Sequence, residues 1–236
     1  MRGIILAGGT GSRLGLLTKS VNKHLLPVGK LPMIYYPLAT LLASNIMDIT
    51  IVSTASGVGQ LAAALGSGRL ACDLSYKVQD KPGGIVDAMK CAHRVDSLDS
   101  IAVILGDNVF NSHTAICSER PGMAHCYLYK CLDQEALKSF GVASFDGGRI
   151  TGVVEKPADP PSSFVVTGLY VFDPGVWYKI DRLHPSARGE LEVTDLLHMY
   201  AVEGNLRHTT VSGFWGDAGT FEGLAECSKG VSVCAS

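Results

Sequence analysis

Apolar runs alternate with helical stripes along the first half of the chain. Arg2 to Ala7 holds Ile4, Ile5, Leu6 and Ala7 without a polar break, the pattern of a strand buried on both faces. Pro32 to Asn45 sets Ile34, Leu38, Leu41 and Leu42 at helical spacing, and Asp48 to Ser53 reads as a second strand. A helix over Gly57 to Leu65, a strand over Leu74 to Gln79 and a helix over Gly83 to His93 follow. Ile101 to Leu105 is the most apolar strand of the chain. Such βα alternation predicts an α/β fold. After Asn108 the rhythm changes: Ala124 to Lys130, Val142 to Phe145, Arg149 to Glu155 and Phe164 to Phe172 read as strands with short connectors. With no crossover helix near them, some of these strands must pair antiparallel. Glu192 to Val202 predicts a helix, Arg207 to Val211 a strand, and Thr220 to Lys229 a last helix. No repeat or linker-like shift divides the chain, so the expectation is one domain over residues 1–236 with a Rossmann-like, doubly wound, mostly parallel but mixed sheet and a β-rich elaboration.

The first strand runs straight into Gly8-Gly9-Thr10-Gly11-Ser12-Arg13-Leu14. Glycines at this point free the backbone to take positive φ and let a phosphate or a base approach closely. Arg13 and Lys23 add positive charge beside them, which a plain turn has no need of. Two other glycine motifs do not fit. The dinucleotide fingerprint G-x-G-x-x-G lacks its third glycine and its acidic residue further on, and the Walker pattern does not occur. The turn therefore predicts a nucleotide site of another kind.

Two acids stand where α/β sheets bind ligands or open a helix. Asp107 closes the apolar strand in Leu105-Gly106-Asp107-Asn108, at the carboxyl end that faces a ligand crevice. Asp217 lies in Phe214-Trp215-Gly216-Asp217-Ala218-Gly219-Thr220, where a helix cap is the plainer alternative.

Composition narrows the partners. The 236 residues are 47% hydrophobic and 18% charged, which suits a filled globular core. Lys and Arg number 20 against 22 Asp and Glu, so no electrostatic case exists for nucleic acid or a membrane surface. No run of 18 apolar residues occurs, and a core strand at the start leaves no room for a signal peptide; the expected location is cytoplasmic. Seven cysteines without a C-x-x-C pair read as reduced thiols, and the seven scattered histidines suggest no metal.

With those residues laid out, the chain resembles the sugar nucleotidyltransferases, nearest to the glucose-1-phosphate thymidylyltransferases in a short form without their C-terminal helices. The resemblance rests on Leu6 to Leu14, on Lys23 before Leu25-Leu26-Pro27-Val28, on Leu105 to Asn108, on Glu155-Lys156-Pro157, on Ala187 to Asp195 and on Trp215 to Thr220. Leu16 departs from it, standing where the family has proline. The resemblance implies a nucleotide-binding half over 1–108 and a sugar-phosphate-binding half over 109–236. Leu6, Gly8, Gly9, Gly11, Ser12, Arg13, Gln79 and Gly84 would hold the nucleotide; Gly141, Glu155, Lys156, Thr167 and Arg188 would hold the sugar phosphate. Asp107 and Asp217 would ligate Mg²⁺, with Arg13, Lys23 and Asp107 catalytic, while Glu190, Thr194 and Asp195 would fix a helix start. Asp87 stands where the family carries an uncharged residue, which puts base preference in question.

The reaction so implied joins a sugar 1-phosphate, expected to be glucose 1-phosphate, to a nucleoside triphosphate, expected to be dTTP, and releases pyrophosphate. The attacking phosphate is already ionised, so the site must supply charge neutralisation and alignment rather than a nucleophile. Rival readings are a uridylyl- or cytidylyltransferase for another sugar, and a non-catalytic nucleotide-sugar binder; a nicotinamide-dependent dehydrogenase is disfavoured by the missing glycine. Ser228 to Ser236 reads as too short for another packed helix, so one nucleotide site per chain is expected. The oligomeric state stays open.

Overall fold

The computed structural model describes residues 1–9, 11–66, 72–81, 83–95, 97–110 and 114–232. Thr10, Pro82 and the tail at 233–236, on which parts of the sequence reading fall, lie outside the described residues. In chain order the first half carries β1 (Arg2–Ala7), β2 (Pro27–Val28), β3 (Leu31–Pro32), α1 (Tyr35–Ala43), β4 (Asp48–Ser53), α2 (Ala55–Leu65), β5 (Asp73–Val78), α3 (Ile85–Cys91) and β6 (Ile101–Leu105). The second half carries β7 (Asn108–Phe110), β8 (Ala124–Lys130), α4 (Gln134–Leu137), β9 (Gly141–Asp146), β10 (Arg149–Glu155), β11 (Phe164–Phe172), α5 (Val176–Ile180), α6 (Val193–Val202), β12 (Leu206–Thr210), β13 (Trp215–Asp217) and α7 (Phe221–Ser232).

One nine-stranded sheet organises the molecule, with the path β10-β9-β11-β6-β1-β4-β5; β8 also pairs with β11, and β12 with β8. The segment β6-β1-β4-β5 is parallel throughout. The predicted antiparallel pairing is present where β11 meets β6, β8 and β9, and where β9 meets β10. Side chains alternate across a strand, so β1 divides its apolar run between two layers. Ile4 and Leu6 pack with Met89 of α3 and Leu196 of α6; Ile5 and Ala7 pack with Leu38 and Leu41 of α1 and Leu61 of α2. Helices on both faces are what the unbroken apolar strands require. No described helix is long and apolar enough to cross a membrane.

Differences from the sequence reading have local causes. The second helix starts two residues earlier than predicted because Thr54 caps it, its hydroxyl accepting the Gly57 N–H at 3.1 Å. The last helix does not stop at Lys229 but runs to Ser232, and Leu224, Cys227 and Val231 pack against Val28, Met33 and Tyr36. That apolar contact offsets the weak helix propensity of Gly230. Two short antiparallel pairs, β2 with β3 and β7 with β13, carry no sequence periodicity long enough to read. The second of these builds the site.

Candidate active site

The glycine turn leaves β1 at the carboxyl end of the parallel strands. Its three glycines serve different needs. Gly11 alone takes positive φ, at 69°, and a Cβ there would meet Thr18 Cγ2 at 2.7 Å. Gly8 and Gly9 are required by close approach: a Cβ would lie 2.8 Å from Gln79 Oε1 at Gly8, and 3.1 Å from Lys23 Nζ at Gly9. Positive φ and close approach, the two freedoms expected of the turn, thus fall on different glycines. Arg13 and Lys23 flank the turn from two short 3₁₀ helices, Ser12–Thr18 and Lys23–Leu25.

A cavity of about 360 Å³ opens here, bounded by Leu6, Gly8, Gly9, Gln79 and Gly84, with Arg13, Lys23 and Asp107 at one side. Glu155, Lys156 and Arg188 close the other side. Gly11 and Ser12 do not line it; Gly11 shapes the turn and Ser12 points to solvent. A smaller cavity of about 120 Å³ continues inward past Ile85, Leu105, Glu155 and Val193, which line both. Gly141, Asn108, Thr194, Trp215 and Asp217 complete the smaller one. The structure thus brings residues from both ends of the chain to one double cavity.

Asp107 and Asp217 meet because β13 pairs with β7, placing Asp217 opposite Asn108. The Ala218 N–H also donates to the Asp107 carbonyl at 2.9 Å. A Cβ on Gly219 would lie 2.8 Å from Asp217 Oδ1, 3.2 Å from Asp107 Oδ2 and 3.1 Å from Arg13 Nη2, so two carboxylates and a guanidinium converge on one point. Helix capping does not explain Asp217. Thr220 performs that task, accepting the Gly223 N–H at 3.0 Å, while Asp217 Oδ1 accepts the Gly219 N–H at 2.7 Å inside the turn.

The electrostatics of the two acids differ. Burial opposes ionisation of Asp107, but the Lys23 ammonium bonded to its Oδ2, with the Asn108 amide, outweighs burial and holds its carboxyl well below the usual range. Burial and the Asp107 charge push the Asp217 carboxyl up, to about 6, against the Gly219 N–H, Lys23 and Arg13. Two carboxylates thus face each other closely enough for the charge on one to oppose ionisation of the other, even with Lys23 and Arg13 beside them. A hard divalent cation fits two carboxylates on one cradle, with phosphate oxygens completing its shell. Among the described residues no group of three or more His, Cys, Asp or Glu gathers as a metal cage, which leaves these two carboxylates as the protein's share.

At the far side of the larger cavity, Arg188 is ion-paired with Glu192 at 2.9 Å and Glu155 at 3.1 Å, and Lys156 lies 3.6 Å from Glu155. Lys156 takes positive φ, at 44°, so its backbone bends where the chain enters the cavity. Thr167 does not join them. It is fully buried and its hydroxyl donates to the Tyr127 carbonyl at 2.8 Å, turned from the cavity. Thr194, assigned from sequence to a helix start, is not a cap: α6 has Glu192 at that position, and the buried Thr194 hydroxyl, beside the smaller cavity, has no partner among the described residues.

Asn108 was not singled out by the sequence reading, although it follows Asp107 directly. Its Oδ1 accepts the Gly168 N–H at 2.8 Å and the Trp215 Nε1–H at 2.7 Å, tying β7, β11 and β13 together. His24 was also missed. It is buried against Gly106, and burial with the Lys23 charge pushes its imidazole down to about 3.

Known proteins resemble this chain over nearly its whole length. A glucose-1-phosphate thymidylyltransferase of Neisseria meningitidis serogroup A is 38% identical over 99% of this chain and 83% of its own length. One from an Actinoplanes species is 39% identical over 98% of this chain and 77% of its own. A crystal structure from Bacillus anthracis, assigned to the same enzyme and solved with sucrose, superposes with a TM-score of 0.88 at 41% identity, covering 98% of this chain and 95% of that one. The sequence model of the nucleotidyl transferase family matches residues 2–232, which takes in the glycine turn, both acids and the last helix, and the chain belongs to that family.

Proposed function

We propose that this chain transfers a nucleotidyl group from a nucleoside triphosphate, dTTP or UTP, to glucose 1-phosphate, releasing pyrophosphate. One observation carries the reading: a cavity lined by the glycine turn and a cavity lined by Gly141 share Ile85, Leu105, Glu155 and Val193 as a common wall, and two converging carboxylates line them, Asp107 the larger and Asp217 the smaller. A phosphate oxygen of the sugar phosphate would bond to the α-phosphorus as the bond to the pyrophosphate oxygen breaks. No protein nucleophile or general base is needed, because the attacking oxygen is already anionic. The difficulty is bringing two polyanions together.

The charged side chains answer that difficulty in turn. Arg13 and Lys23 would neutralise the triphosphate as charge builds on the leaving pyrophosphate. Lys156 and Arg188 would hold the incoming phosphate, which displaces the carboxylates they now engage. Glu155, released from Arg188, would accept hydrogen bonds from sugar hydroxyls inside the smaller cavity. Asp107 and Asp217 would hold Mg²⁺, which supplies Lewis-acid polarisation of phosphoryl oxygens when bound. Residues up to 108 would form the nucleotide half and the remainder the sugar-phosphate half.

The test is pyrophosphate release measured across a panel of triphosphates and sugar 1-phosphates, with and without Mg²⁺. Turnover confined to one triphosphate class with glucose 1-phosphate is expected. Binding of both substrates with no pyrophosphate release from any pair would replace the enzyme with a nucleotide-sugar binder.

A further inference from the structure

Gln79 follows β5 and is buried, with its amide at the wall of the larger cavity. Its peptide N–H donates to the Ser53 carbonyl at 2.8 Å, which anchors the backbone to the end of β4. An amide side chain can turn either its oxygen or its nitrogen to a ligand, and the two choices read opposite bases. Here the choice is made by neighbours. Gln79 Nε2 donates to Asp87 Oδ2 at 2.8 Å and to the Gly84 carbonyl at 3.3 Å. A carboxylate and a carbonyl only accept, so the group facing them must be the amide nitrogen, and both of its hydrogens are consumed.

Gln79 Oε1 is left over the glycine turn, where only the missing Cβ of Gly8 makes room for it. It accepts no hydrogen bond from any described residue. The cavity is therefore offered an acceptor and no donor from this side chain. Asp87 itself is held: it lies in the first turn of α3, and a Cβ on Gly83 would sit 2.6 Å from its Cγ. Its reach to Gln79 is set by that packing rather than by a free rotor.

From this juxtaposition we propose that Asp87 is a positioning residue for base selection. It locks the Gln79 amide with its oxygen toward the nucleobase, so that the site takes a pyrimidine with an imide N3–H, thymine or uracil, and turns away cytosine. The inference rests on the nucleotide being bound in the larger cavity as proposed above. With N3 of the base set against the Gln79 oxygen, thymine and uracil present a donor and cytosine a lone pair, its own donor being displaced to the 4-amino group. A site built to pair one hydrogen-bonding group rejects the analogue that leaves it unpaired.

The experiment compares the parent chain with Asp87→Ala, Asp87→Ser and Asp87→Asn, by calorimetry of UTP, dTTP, CTP and dCTP binding and by kcat and KM for each. The parent should prefer the imide bases by about 10-fold or more. Asp87→Ala and Asp87→Ser free the amide to turn over, so the preference should shrink to about 2-fold through KM, with kcat for dTTP little changed. Asp87→Asn keeps a side-chain oxygen for Gln79 Nε2 and should retain most of the preference. An unchanged preference in the folded Ala or Ser variant overturns the role of Asp87. Loss of preference on binding, with no pyrophosphate release in the parent, keeps that role and overturns the transferase reading instead. A parent that binds no triphosphate overturns both.

Discussion

The residues before and after Asn108 solve the same problem by different means. In the first part three of the site residues follow parallel strands closely: Gly8 after β1, Gln79 after β5, Asp107 after β6. Parallel strands deliver their carboxyl ends to one edge, so a crevice forms there without further contrivance. In the second part most strands pair antiparallel, the parallel β12–β8 pair excepted, so their ends alternate and the site has to be assembled by long-range pairing. Asp217 arrives through the three-residue β13, and Glu155 is drawn to Arg188 across 33 positions of sequence. The first part is a platform, and the second is folded onto it by a few polar ties. Contributions from the second part should thus be more sensitive to single buried substitutions.

The two carboxylates test the comparison most severely, since one comes from each part. Asp107→Asn and Asp217→Asn should each lower turnover by about 10²-fold or more in a pyrophosphate-release assay. The double variant should cost far less than the product of the two, because both would act through one cation. Near-additive losses would mean that the two parts act independently.

The tie between the parts is Asn108. Asn108→Ala leaves the Gly168 N–H and the Trp215 Nε1–H buried without an acceptor, at a cost of about 2–4 kcal/mol in urea unfolding. Activity should fall with it, by about 10-fold, because β13 loses the hold that sets Asp217. A variant of parental stability would show that β13 is held by other contacts.

The parts also respond to pH with opposite sign. His24, in the first, has its folded value lowered to about 3, so its contribution is full above its unfolded value near 6.5 and is lost as pH falls. Asp217, in the second, has its value raised to about 6, so its contribution is full below its unfolded value near 3.8 and is lost as pH rises to 6. Without divalent metal, Asp217→Asn should therefore be more stable than the parent at pH 8, by on the order of 1–3 kcal/mol. His24→Gln should flatten the loss of stability between pH 6 and pH 4. Thermal unfolding of both variants across pH checks the two signs, and a stabilised Asp217→Asn would mark a residue kept at a cost to the fold.

The smallest effects separate the substrates. Lys156→Ala should raise the KM for glucose 1-phosphate about 10-fold with the triphosphate KM nearly unchanged, and Arg13→Ala should act on the triphosphate side and on kcat. Crossed effects would redraw the boundary between the parts.

The glycine turn, Asp107 and the parallel strands were legible in the sequence because each depends on neighbours within a dozen residues. A buried strand, the loop after it and the charge beside the loop are one continuous stretch, and hydrophobic period reports it directly. Glu155 and Arg188 were legible only as pieces of matched motifs, since nothing local says that a strand-end glutamate will meet an arginine on a later loop.

Sequence alone determined the α/β alternation, the switch to mostly antiparallel strands after Asn108 and the glycine turn after the first strand, since these follow from periodicity and from the chemistry of glycine. Tertiary structure decided which side chains face the cavity: Thr167 turns away to Tyr127, Thr194 turns toward it, and Asp217 meets Asp107 through a strand too short to carry a period. It also decided which atom of Gln79 is left without a partner among the described residues, by setting Asp87 against its nitrogen. Orientation of a side chain is settled by partners distant in sequence, and only folding brings those partners within hydrogen-bonding reach.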